Sequence, residues 1–132
     1  MSNVHLKETP FQVVPTPVFD ASRLQHTSLR GHLRYVPGTV QGVILVQTSN
    51  LRQMLLCVPA GQGLPRHLAT CDVTVRVIEG AGVLTVDGEE PVHLHEGSYL
   101  FMPAGQPHAV VAEKNLALLA TFTQPNAEIR FL

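Results

Sequence analysis

The sequence predicts an all-β fold, a barrel or sandwich of many short strands, and two observations carry that prediction. β-branched and apolar runs of four to eight residues recur from residue 32 to the C-terminus, broken by turn signals such as Pro37-Gly38, Ser49-Asn50, Pro59-Ala60-Gly61, Gly80-Ala81-Gly82, Asp87-Gly88 and Pro103-Ala104-Gly105. Apolar residues nowhere recur at three and four over a long window, so no long helix is expected. At 132 residues and 14.4 kDa the chain suits one hydrophobic core.

From the N-terminus, Pro10, Pro15 and Pro17 forbid a helix and predict an extended arm over residues 1–30 with little sheet pairing of its own. The arm is read as part of the same domain as the barrel of residues 31–132. Asp20 is placed to cap one short turn over 21–25. Strands are expected over 32–36, 42–48, 54–58, 73–79, 83–87, 92–95, 99–102, 108–111, 116–123 and 128–131. The strongest local signal is Asp87-Gly88, because Gly tolerates the positive φ of a tight hairpin turn, and it makes 83–87 and 90–95 antiparallel neighbours.

Composition narrows the function. Nine Lys and Arg against ten Asp and Glu give a net charge of −1, and the basic residues form no stripe, so nucleic acid is not an expected partner. No uncharged apolar run reaches the roughly 18 residues a membrane span needs, and the first residues carry no basic, apolar leader pattern; a soluble, cytoplasmic protein is expected. Only 14% of residues are charged, which suits a surface partly turned into a second copy, and a homodimer is expected. Cys57 and Cys71 are too few for a disulfide framework and read as reduced, buried thiols.

Gly61-Gln62-Gly63-Leu64-Pro65-Arg66-His67 with the following Val73 to Gly82, and Gly97-Ser98-Tyr99-Leu100-Phe101-Met102-Pro103-Ala104-Gly105-Gln106-Pro107-His108, resemble the two motifs of the cupin superfamily. The second motif is present at Gly97, Pro103, Gly105 and His108, although Ala112 stands where the family's final Asn belongs. The first keeps Gly61 and His67, but Ala69 occupies the place of its second histidine, and Val73, or Thr74 with the longer spacing, that of its glutamate. The resemblance implies a cupin-type double-stranded β-helix, or jelly-roll barrel, with His67 and His108 in its mouth. In that family three imidazoles and a carboxylate hold Fe, Mn, Ni, Zn or Cu.

Two imidazoles without a carboxylate would hold a divalent ion weakly, because binding energy comes from completing the shell and compensating its charge. A third ligand would come from Cys71, which favours Zn or Cu, or from Asp72, which gives a facial triad. Equally, the two histidines would orient a ligand with no metal at all. Met54, Leu56, Val75, Phe101, Val110 and Phe122 are expected to line a pocket for a small organic molecule. His93 and His95 alternate with Val92 and Leu94, and the apolar pair is the expected inward set. Three functions follow: a metal-dependent dioxygenase or isomerase, a non-catalytic binding or sensing module, and a dimeric scaffold.

Overall fold

The structure is a computed structural model that describes residues 11–132; Pro10 and the other expectations placed on residues 1–10 lie outside it. The described residues form β1 Phe11–Val14, β2 Val40–Gln47, β3 Arg52–Val58, β4 Gly63–Ala69, β5 Val73–Glu79, β6 Ala81–Val86, β7 Val92–His95, β8 Tyr99–Met102, β9 His108–Ala112, β10 Leu116–Phe122 and β11 Ile129–Phe131, with a 3-10 turn at Leu29–His32. They assemble into a sheet ordered β1-β2-β3-β10-β5-β8 and a second ordered β11-β4-β9-β6-β7. The predicted all-β jelly roll is what the chain forms.

Alternation turns one face of each sheet inward. Leu56, Val75, Leu118 and Phe122 of the first sheet and Leu64, Leu84, Leu94 and Val110 of the second share one buried cluster between the layers. At about 25 cal/mol per Å² of apolar area, such two-sided burial is the main term holding the layers together. The hairpin at Asp87-Gly88 joins β6 to β7, pairing Val83 with His93 and Leu84 with Val92. Gly88 takes a φ of 80° while Asp87 stays in the ordinary region.

A second cluster lies on the outer face of the six-stranded sheet: Val43, Leu45, Leu55, Ile78 and Ala117 pack under Val14, Val18, Leu29, Leu33 and Tyr35. Residues 14–35 therefore form a cover on this sheet. The arm, expected to have little sheet pairing of its own, does contribute a strand: β1 pairs in parallel with β2, Phe11 opposite Val40 through Val14 opposite Val43. The run Phe-Gln-Val-Val contains no proline, and an edge strand needs hydrogen bonds on one side only. Polar contacts fix the cover, with Val18 and Phe19 N–H donating to Ile44 and Leu45 carbonyls at 3.0 and 2.8 Å. Arg30 pairs with Glu79 at 2.5 Å, and the Tyr35 hydroxyl donates to the same carboxylate at 2.8 Å.

One further expectation changes, and the short turn capped by Asp20 forms. Residues 32–36 make no strand beyond a single Val36–Thr39 bridge, because Leu33 and Tyr35 bury themselves on the sheet without joining it. At 21–25 the chain makes a turn closed by Asp20, whose carboxylate accepts from Ser22 N–H and Oγ at 3.0 and 2.7 Å. β4 is a strand that the sequence does not announce, since it contains Pro65. No helix among the described residues is long and apolar enough to cross a membrane.

Candidate functional site

β4 and β9 run antiparallel, and their register sets His67 directly opposite His108. From Leu64 opposite Val110 to His67 opposite His108, β4 advances three residues while β9 advances two, so β4 carries a bulge at Pro65-Arg66. The bulge absorbs a proline that has no N–H for the ladder. It also resets the alternation: Leu64, His67 and Ala69 all face inward while Arg66 is exposed, with its guanidinium on Asp87 at 2.5 Å. Across the five-stranded sheet the pairing continues as Phe131, His67, His108 and Val86.

Both histidines are buried, each 7% exposed. Their ring centroids lie 4.2 Å apart with the planes inclined at 61°. Each ring hydrogen-bonds to the carbonyl two residues before it, His67 Nδ1 to Pro65 at 2.7 Å and His108 Nδ1 to Gln106 at 2.9 Å. A carbonyl oxygen only accepts, so each Nδ1 carries the proton and each Nε2 is a bare acceptor. Burial, reinforced by the neighbouring His108 ring, pushes the His67 imidazolium down to about 4; burial lowers His108 as well. At neutral pH the pair is uncharged. Among the described residues neither Nε2 has a hydrogen-bond partner, and the one fully sealed polar side-chain atom without a partner is Arg52 Nε, not an imidazole nitrogen.

The histidines border a cavity of about 60 Å³. Its other described walls are hydrocarbon or thioether, among them the expected Leu56, Val75, Val110 and Phe122. Two expectations are corrected. Phe101 is 64% exposed, because Val73 and Val75 face inward and pair with Met102 and Leu100, leaving Phe101 opposite Thr74 on the outer face. Met54 is buried in the same core but does not border the cavity; its sulfur fills the space over Gly42, where a Cβ would come within 2.9 Å. Sequence reasoning missed Phe11, Ile129 and Phe131, which border the cavity from β1 and β11. The alternation of Ile129 and Phe131 was the available signal for the last two.

Neither residue expected to supply a third ligand joins the pair. The chain bends after Ala69, so strand parity does not carry to Cys71, which is buried elsewhere in the core. Asp72 is exposed and its carboxylate accepts the Ala104 N–H at 2.9 Å. Among the described residues no group of three or more His, Cys, Asp or Glu converges. Ala69 and Val73, at the degenerate motif positions, are apolar wall, so two neutral imidazoles do not fit a metal shell completed by protein. His93 and His95 are exposed, with Leu94 turned inward between them. Cys57 and Cys71 are free and buried.

A family model described as "Cupin domain" matches residues 54–122. A double-stranded β-helix protein of Klebsiella pneumoniae superposes with a TM-score of 0.73 at 17% identity, over 81% of this chain and 96% of that one. A Thermus thermophilus protein is 31% identical, with a TM-score of 0.67, over 77% of this chain and 98% of its own. A salicylate 1,2-dioxygenase from Pseudoaminobacter salicylatoxidans shares the fold at a TM-score of 0.63 and 20% identity, over 74% of this chain but 31% of the dioxygenase.

Proposed function

This chain belongs to the cupin domain family, and from that premise we propose that it is a small cupin whose pocket, centred on His67 and His108, takes a small organic ligand and holds a divalent metal no more than weakly. The observation that carries this reading is the pair of uncharged imidazoles, tethered through Nδ1 and facing a cavity otherwise walled by apolar side chains. Tethered rings lose little freedom when a ligand arrives, which favours binding. The test is thermal unfolding with a panel of small organic molecules in the presence of chelator. Stabilisation that survives the chelator supports the reading. A flat response across the panel would sink it.

A metal-dependent dioxygenase or isomerase is the second reading. It draws on the two unpartnered Nε2 atoms, which lie on adjacent strands as two ligands of one ion would, and on the dioxygenase of shared fold. It needs further donors that the described cavity wall does not supply, so they would have to come from the ligand itself. Titration calorimetry with Zn, Ni, Cu, Mn and Fe separates the readings: affinity tighter than about micromolar for any of them would favour the enzyme. Assembly as a homodimer belongs to the same proposal, and light scattering at micromolar concentration reads it.

A further inference from the structure

Resting on the reading that the cavity is a ligand site, we propose that it selects uncharged ligands presenting a hydroxyl group on a short apolar body and rejects carboxylates. The donors and acceptors at the cavity wall decide this. His67 and His108 each have one N–H, and each is already donated to a backbone carbonyl, at 2.7 and 2.9 Å. What remains toward the cavity is two acceptors and no donor. The nearby cation, Arg52, does not change this. It is not part of the wall; its guanidinium stacks 4.4 Å from the Phe122 ring centroid and donates to the Pro125 and Ala127 carbonyls at 3.3 and 3.2 Å.

A carboxylate in such a cavity would lose its hydration and meet two lone pairs, with no N–H or cation to replace the lost water. An ether or ketone would likewise bring acceptors to acceptors. A hydroxyl instead donates its one proton to one Nε2, while its carbon body lies against the apolar wall. Size sets the rest. A cavity of about 60 Å³ is small, so the portion seated beside the imidazoles is short. A short aliphatic alcohol, or the hydroxyl end of a longer one, meets both conditions.

The test uses the whole protein with ¹⁵N-labelled histidine at pH 7.5 in chelator, titrated separately with 1-propanol, ethyl methyl ether and propionate. Long-range ¹H–¹⁵N spectra read the imidazole nitrogens, and methyl spectra read Leu56, Val75 and Val110. Both rings should show a protonated Nδ1 and a bare Nε2 before ligand is added. Propanol should then move the Nε2 signals and bind about tenfold more tightly than the ether, the preference expected for one hydrogen bond to an otherwise unpaired group. Propionate should leave those signals in place. Propionate binding as tightly as propanol, equal affinity for the ether, or protonated Nε2 atoms in the free protein would each overturn the proposal while leaving a ligand site intact. If none of the three moves the cavity methyls, the ligand-site reading itself fails and takes this inference with it.

Discussion

His67 shows how strand register becomes chemistry. One extra residue in β4 turns its ring inward against His108, and burial then holds the imidazole neutral. The pH consequence has a definite sign. Above pH 6.5 the folded and unfolded chains both carry a neutral His67, so nothing is lost. As pH falls from 6.5 toward 4, the unfolded chain takes up a proton that the folded chain refuses, and stability drops by roughly 3 kcal/mol from this residue. His108 adds to the drop in the same direction. Urea unfolding between pH 7.5 and 4.5 should show the decline, and His67→Leu should flatten it. Ala69 gives a second prediction at this scale. It lies two residues from His67 on the same inward face and borders the cavity, so Ala69→His should raise Ni or Zn affinity at least about tenfold in titration calorimetry. Both histidines were legible in the sequence through the glycine and proline spacing around them. The failure of Cys71 and Asp72 to join them was not, because it turns on a bend after Ala69 that alternation alone does not reveal.

At the scale of elements, the sequence described strands best where β-branched runs are bounded by glycine or proline. The expected spans 73–79, 92–95 and 99–102 coincide with β5, β7 and β8. β4 was hidden by Pro65, whose missing N–H ordinarily argues against an interior strand and is here taken up by a bulge. Residues 32–36 misled for the opposite reason: their apolar side chains are buried by docking on a sheet rather than by pairing in one. Gly80, between β5 and β6, has a φ of 97°, and a Cβ there would overlap the Asn115 carbonyl. Gly80→Ala should therefore lower stability by at least about 2 kcal/mol, seen as a lowered urea midpoint. Tyr35→Phe removes the hydroxyl that donates to Glu79 from the N-terminal cover. It should cost about 1 kcal/mol and quicken tryptic cleavage near Arg30 and Arg34 before the barrel is attacked.

The whole molecule is two sheets, each built largely from pairings between distant parts of the chain: β3 with β10 in one, β4 with β9 and with β11 in the other. Loop closure must precede such contacts, so refolding monitored by stopped-flow should fall in the range of about milliseconds to seconds rather than microseconds. With both cysteines reduced, no disulfide step should appear. Of the strands that wall the cavity, β11 has only three residues and pairs on one side only, with β4, yet it contributes Ile129 and Phe131 to the wall. Fraying of so short an edge costs less than opening any central strand. The cavity's wall is therefore weakest at the C-terminal edge, and amide hydrogen exchange should be faster at Ile129–Phe131 than in β4 or β9.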